Sequence, residues 1–563
     1  MRRFQWGYEH AHVNIDDVPH GLSPTESFSL DYYDKTENNH SRPMSTSLGC
    51  ELIGACQPIP NISHKNSQVE AIVGRTASEM PPINRVTLRR LNRFVKRKLD
   101  ELFEGKQFDY NEEFDFYEWI ESTPYTRKRK NQLIKEFEKG FDERKGYNIK
   151  GHIKYESYGK YKKFRGIHSR SDSYKCQVGP FFQKLGNIVF DCKHFIKKIP
   201  VDERPKAMLD MIKDKTNVFF TDYSSFEAWF EPLILQIERR VYLWFLQNNK
   251  HKNKIMRLLD KGIFSRNHIV YNKWKCSMDG KRMSGEMNTS VGNGLMNMLC
   301  TFFLLEQAGN SEYGGYFEGD DGVCWYTNPT FSSSKPPSQF DYRDLGAKIK
   351  IEIPDEPTLA SFCGLIFDPE VCDNVTEPMA VLMNHGWTSH QYVAAGRTKL
   401  DALLKSKSLS LLYSYPGAPI TRSLALYGLR VTGHIDDKYM NKVLEKKYMN
   451  TYEREKLQYQ QSASQEKFEQ LLNHKVHFKT RLLVERKFGI SVELQLHIEN
   501  YLDNLTTLQP LNIPLALDHV DKDCIDYYER YGYNTNKPYD HFFQLPNIRK
   551  YKIFKNHIDY FEQ

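Results

Sequence analysis

The chain carries 79 Lys and Arg against 71 Asp and Glu over 563 residues, a net charge of +8 that is modest at this length. With 40% hydrophobic and 27% charged residues, the composition is that of a soluble globular protein with a large core divided among subdomains, and it excludes collagen-like and disordered chains. No apolar run reaches membrane-spanning length, no signal-peptide core follows Met1-Arg-Arg, and the ten cysteines form no CxxC pair, so reduced thiols in a cytosolic setting are expected rather than a disulfide scaffold or a zinc site.

Residues 1–82 are rich in Ser, Asn, His and Pro without periodicity, and they read as an irregular extension. From 83 to 150 the pattern is helical and charged. "RVTLRRLNRFVKRK" (85–98) is basic on one side, with Val86, Leu91 and Val95 on another, as in an amphipathic helix. Segment 150–170 sets Lys150, Lys154, Lys160, Lys162, Lys163, Arg165 and Arg170 against the single acid Glu156 and interleaves Tyr155, Tyr158, Tyr161 and Phe164. Cations mixed with rings suit a surface that tracks a phosphate backbone or stacks bases. Residues 200–370 are mixed α/β, and beyond about 385 helices return, including "TKLDALLKSKSLSLLYSY". There is no internal repeat and no GxxxxGK[ST] loop, which argues against a P-loop NTPase.

Three stretches carry chemistry. "NVFFTDYSSFEAWF" (217–230) begins as a buried strand and ends in Asp222, followed by a helix start in which Ser224 and Glu227 fit an S-x-x-E capping box. "RMSGEMNTSVGNGLMNML" (282–299) opens as a flexible loop at Ser284-Gly285 and continues as a helix with Thr289 and Asn293 on one face. "YFEGDDGVCWY" (316–326) places Glu318, Asp320 and Asp321 in an aromatic run, with Gly319 and Asp321-Gly322 reading as a hairpin turn. Any one of these has a bland reading as a cap, a helix start or a turn.

Their order and spacing resemble the palm motifs of viral RNA-dependent RNA polymerases. "RMSGEMNTSVGNG" is most similar to the tombusvirus-like enzymes of positive-strand RNA viruses. "KKFRGIHSRSDSYKCQVGPFF" (162–182) resembles their basic fingers motif with two spaced arginines, "DLGAKIKIE" (344–352) the next palm motif, and "ASFCGLIF" (360–367) the hairpin between palm and thumb. The resemblance implies an α+β right-hand fold. Residues 83–210 would form fingers, 211–385 a palm with an antiparallel sheet and a fingers insertion at about 240–280, and 386–563 a helical thumb.

By resemblance, Asp222 and Asp320 hold Mg²⁺, with Mn²⁺ as a substitute, and Asp321 stands nearby in support. Arg165, Arg170, Lys162 and Lys163 meet the phosphates of a ribonucleoside triphosphate, arginine through its planar fork. Ser284, Thr289 and Asn293 position the ribose, Asn293 at its 2′-hydroxyl, which separates RNA from DNA precursors. In "GAKIKIEI" the Ile residues alternate with Lys348, Lys350 and Glu352, as in a half-buried strand, and Lys350 is either a solvated residue or the acid that protonates pyrophosphate. Most relatives have Asp where this chain has Glu227, which leaves a cap and a ribose contact as competing roles. The implied partners are an RNA template and its product, nucleoside triphosphates, and a separate viral protein that anchors replication to host cytoplasmic membranes. A reverse transcriptase shares the carboxylates but usually excludes the 2′-hydroxyl with a bulky residue, where this chain has Asn293. A catalytically silent RNA-binding palm has no need of three clustered carboxylates.

Overall fold

Eleven strands are present in the computed structural model, which describes residues 22–32, 45–52, 65–154, 156, 164–215, 217–327, 336–392, 394–445 and 464–513. They are β1 (Ser29–Tyr32), β2 (Ser45–Ser47), β3 (Ile149–Ile153), β4 (Gly166–Arg170), β5 (Asn217–Tyr223), β6 (Arg266–Val270), β7 (Trp274–Asp279), β8 (Tyr313–Glu318), β9 (Asp321–Tyr326), β10 (Ile349–Glu352) and β11 (Trp387–Ser389). They form a five-stranded sheet in the order β1-β7-β6-β3-β4, a four-stranded sheet in the order β10-β5-β9-β8 and a two-stranded pair, β11-β2.

Every pairing in the four-stranded sheet is antiparallel. Successive side chains of a strand point to opposite faces, so the sheet separates two apolar layers. Phe219 and Tyr223 of β5 join a large core with helix Thr289–Gln307, whereas Val218 and Phe220 face a smaller cluster with Met208, Phe362 and Leu365. Helix Thr289–Gln307 is buried without interruption from Val291 to Leu305. A helix that is apolar over most of its circumference belongs in the interior, and this one runs behind the β8–β9 hairpin.

The five-stranded sheet draws β3 and β4 from residues 149–170 and β6 and β7 from residues 266–279, two segments far apart in sequence joined by parallel pairing of β3 with β6. C-terminal to Glu377 the described chain is mainly helical: Pro378–His385, Arg397–Ser414, Thr421–Val431, Asp437–Glu445, Gln465–Asn473, Phe478–Phe488 and Val492–Asn504. No helix among the described residues is long and apolar enough to cross a membrane.

Among the first eighty residues, those that are described form short paired elements where an irregular extension is expected. β1 pairs with β7 at the edge of the five-stranded sheet, helix Lys65–Ala71 places Val69 in that sheet's core, and β2 pairs with β11. Leu48, Cys50 and Leu52 are fully buried among the C-terminal helices. Strands of three or four residues show too few alternations to be read locally, and their partners lie hundreds of residues away.

Candidate active site

The carboxylate-bearing hairpin is tighter than its sequence suggests. Glu318 pairs with Asp321, so the turn is Gly319-Asp320, and Asp321 and Gly322 already belong to β9. Gly319 has φ +62° with nothing near the position of a Cβ, so backbone conformation rather than space requires glycine there. From inside the long helix, the Asn297 amide donates to the carbonyls of Gly319 (3.2 Å) and Asp321 (3.3 Å), and Thr301 Oγ1 in turn donates to Asn297 Oδ1 at 3.3 Å. The turn that presents Asp320 is therefore held from behind by a helix buried from Val291 to Leu305.

Register brings the other carboxylate alongside. Thr221 of β5 is opposite Gly322 of β9, so Asp222 falls one step further on, beside Asp321 at the start of that strand. On its other side Asp222 is opposite Lys350 of β10, and directly paired residues in antiparallel strands share a face. Lys350 is exposed, with its Nζ 3.4 Å from Glu352. Asp222 is also exposed, and none of Asp222, Asp320 or Asp321 is in an ion pair among the described residues.

The electrostatics are accordingly frustrated. Asp320 reaches solvent at the tip of the turn, yet burial by the surrounding protein, then the like charges of Asp321, Glu227 and Asp222, push its pKa up to about 6. Asp321 is raised by burial and by Asp222 and Glu318, against hydrogen bonds from the side chain and backbone N–H of Cys363. Cys363 lies in a two-residue turn with Gly364, at φ +53° and +78°, closed by a bridge between Phe362 and Leu365. Among the described residues no three Asp, Glu, His or Cys side chains close into a ready-made cation cage. The donors on offer are nonetheless all carboxylate oxygens with no cation of their own, the chemistry a hard divalent ion satisfies.

Glu227 is not a helix cap. Ser225, which precedes helix Phe226–Trp229, is left-handed at φ +56° and makes no side-chain capping bond. The capping box does not form because the chain turns too sharply out of β5, and the Glu227 carboxylate contributes to the charge around Asp320 instead.

The loop and helix start at 282–293 distribute their polar groups unevenly. Ser284 Oγ donates to the Gly166 carbonyl at 2.8 Å and accepts from the His168 N–H at 3.1 Å, which ties the loop to β4. Thr289 Oγ1 donates to the carbonyls of Met283 and Glu286. Both hydroxyls expected at a ribose are thus taken up by backbone groups. Asn293, nearly buried, accepts from Arg282 Nε at 3.0 Å, while its amide nitrogen carries no hydrogen bond to the described protein.

The two arginines of the basic motif part company. Five residues apart along an extended chain, they fall on opposite sides. Arg165 is half exposed, with Nε 3.6 Å from Glu156. Arg170 is buried, and its guanidinium donates to Glu286 (2.5 Å), Asn267 (2.5 Å) and the Tyr147 carbonyl (2.9 Å). The expected phosphate fork at Arg170 is already spent on protein acceptors, so this residue braces β4 against the loop at 284–286. Lys162 and Lys163 lie outside the described residues.

Sequence reasoning missed Asn297, Cys363 and Arg282. Asn297 had a signal: Thr289, Asn293, Asn297 and Thr301 recur every four residues in an otherwise apolar helix, and a polar stripe in a buried helix needs partners. Cys363 and Arg282 had none, since each acts on a residue brought near only by the fold.

A strand-end aspartate beside a Gly-Asp-Asp turn, backed by a buried helix that offers one amide to the same cleft, is the arrangement of a template-directed nucleotidyl-transfer enzyme. The chain belongs to the family of viral RNA-dependent RNA polymerases, whose sequence profile matches residues 186–509, more than half its length. The match takes in Asp222, Glu227, the 284–293 segment, Asp320, Asp321 and Lys350 but begins after the basic motif at 162–182, and the tombusvirus-like resemblance agrees with it. No curated protein matches the chain. The protein is thus an RNA-directed RNA polymerase, a nucleotidyltransferase acting on an RNA template and nucleoside triphosphates, of a family that has a right-hand fold and uses divalent metal ions.

Proposed function

We propose that the chain replicates a viral RNA genome by a two-metal-ion transfer, with Asp222, Asp320 and Asp321 as the ligand set for Mg²⁺. The observation that carries this reading is the β5–β9 register, which aligns Asp222 with the carboxylates of an Asn297-anchored turn. Divalent ions held by these carboxylates would supply the activation of the 3′-hydroxyl and the neutralisation of the leaving pyrophosphate. The protein's own share is placement. The turn holds Asp320 rigidly, Cys363 fixes and favours the ionised Asp321, and the mutual repulsion of the acids favours any cation that enters.

In the same reading Arg165, at the rim, attracts the triphosphate, with Lys162 and Lys163 preceding it in sequence. Asn293 donates to the ribose 2′-oxygen, and Glu227 accepts from the same hydroxyl. Lys350, beside Asp222 on the wet face, is placed to give a proton to pyrophosphate. Residues 83–210 with 240–280 are assigned as fingers, a division supported by β3 and β4 sharing a sheet with β6 and β7. Residues 211–385 are the palm and 386–563 the thumb, and a separate viral protein supplies the attachment to host membranes. The test is purified chain with an RNA template, four ribonucleotides and Mg²⁺, scored for product of template length. Product absent from wild type under all metal and primer conditions defeats the reading.

A further inference from the structure

Arg282, like its neighbour Lys281, has a side chain fully out of solvent. Its guanidinium lies 4.0 Å over the Phe230 ring and donates through Nη2 to Glu238 Oε1 at 2.5 Å. Glu238 Oε1 also accepts from Tyr242 (2.5 Å) and Asn288 (3.2 Å), so the acceptor is itself fixed. Gly292 leaves the room: a Cβ there would collide with Glu238 Oε1. At the front of this buried cluster, Nε of Arg282 donates to Asn293 Oδ1 at 3.0 Å, and the Arg282 backbone N–H donates to the Glu227 carbonyl at 2.9 Å.

A guanidinium has five donors and no acceptor. The group of Asn293 that faces it is therefore the amide oxygen, and the NH₂ is turned the other way. An unanchored asparagine could present either end to a sugar, and the two ends recognise opposite hydrogen-bonding patterns.

From this geometry we infer that Arg282 is the positioning residue for sugar selection, locking Asn293 as a donor to the ribose 2′-oxygen and tying it to the segment that carries Glu227. The inference rests on the reading in which Asn293 meets the ribose. Arg282 touches no substrate. It makes Asn293 a one-way reader, so a 2′-substituent that accepts a hydrogen bond is favoured and a deoxyribose, which offers no acceptor, is not.

The experiment measures relative incorporation of ribo-, 2′-deoxy- and 2′-fluoro-nucleotides opposite one template base. Asn293→Asp keeps an oxygen for Arg282 but exchanges the donor for an acceptor, and ribose preference should fall about tenfold, as should Asn293→Ala. Arg282→Lys keeps the charge beside Glu238 and loses Nε; its preference should fall by a similar factor although it lies outside the cleft. Arg282→Lys combined with Asn293→Ala should be no worse in preference than Asn293→Ala alone, because the two act through one contact. The 2′-fluoro nucleotide, an acceptor without a donor, should outperform the deoxynucleotide with wild type and lose that advantage in each variant. Unchanged preference in both Asn293 variants would overturn the underlying ribose reading. A change there, with wild-type preference in folded Arg282→Lys, would overturn the role of Arg282 alone. If Arg282→Lys fails to fold, Glu238→Gln, which removes the charge that holds the guanidinium, takes its place, and wild-type preference in that variant likewise overturns the proposal.

Discussion

The β8–β9 turn and strand β4 are both charged, and they treat their charges in opposite ways. At the turn, Asp320 meets Asp321, Glu227 and Asp222 and no cation, and its pKa rises to about 6. On β4, Arg170 meets Glu286, Asn267 and a carbonyl, and none of its nitrogens faces solvent. Burial pushes the Glu286 pKa up and Arg170 offsets part of that rise, so this buried acid, unlike Asp320, has a cation within hydrogen-bond distance. Charge left unbalanced by the protein is balanced by something the protein binds, whereas charge already paired inside is architecture. Both regions carry the residue types of a phosphate-handling site, and only their electrostatic state separates them.

Asp320→Ala is the hardest test of the turn. It removes the proposed metal contact, worth several kcal/mol, without opening a core cavity, so RNA synthesis should drop at least about a thousandfold while the melting temperature and RNA binding stay near wild type. Near-normal elongation by folded Asp320→Ala would remove the distinction from its catalytic side.

The opposite pattern is expected on β4. Arg170→Ala strands Glu286 in the interior, a loss of roughly 3–5 kcal/mol of stability measured by denaturant titration, and Glu286→Gln in the same chain should recover part of it. Arg165→Lys should leave stability unchanged and raise the KM for nucleotide a few-fold, since only the forked geometry is lost. Equal loss of stability at both arginines would erase the contrast.

Acid sharpens the comparison by sign. His168, packed against Tyr271, and His385, against Ser408, are buried and held neutral, with pKa values lowered to about 3 chiefly by burial. Their stabilising effect is full above pH 6.5, the ordinary histidine value, and is lost as pH falls toward 3. At pH 5 each should cost about 2 kcal/mol relative to neutral pH. Asp320 has the reverse sign: its proton stabilises the metal-free fold at low pH, and that contribution disappears as pH rises through about 6. Urea midpoints between pH 5 and 7.5 should fall with acid in wild type, fall less in His168→Gln or His385→Gln, and fall more in Asp320→Asn. An acid slope unchanged by either histidine substitution would contradict the first assignment.

The smallest effect is expected behind the turn. Asn297→Ala removes two bonds to carbonyls that water partly replaces, at about 1 kcal/mol. Because those carbonyls flank Asp320, kcat should fall several-fold with KM little changed. A pure stability loss would make Asn297 a core residue only.

The carboxylates were legible because their setting is local. A strand ending at Asp222, a glycine ahead of paired aspartates and an alternating Ile-Lys strand are short-range patterns, and hydrogen bonding between neighbouring strands turns them into one site. Element types from 85 to 138 and beyond 378 were legible for the same reason, since helix periodicity repeats over several turns. The basic motif was legible as composition and not as roles: opposite parity along an extended chain sends Arg165 outward and Arg170 inward, and that matters only once β4 is known to be a strand with Glu286 behind it.

What the sequence alone determined is therefore the family, the candidate carboxylates and the amphipathic elements, each carried by short local patterns and, for the family, by their order along the chain. Tertiary structure decided the rest. It spent Ser284 and Thr289 on backbone carbonyls, withdrew Glu227 from the cap, brought Leu48, Cys50 and Leu52 under the C-terminal helices, and set Arg282 against Asn293. The burial of the N-terminal leucines turns on apolar packing, and the polar cases turn on which donor meets which acceptor. A buried polar group is costly unless paired, and its partner is chosen by the packing of the whole chain rather than by its neighbours in sequence.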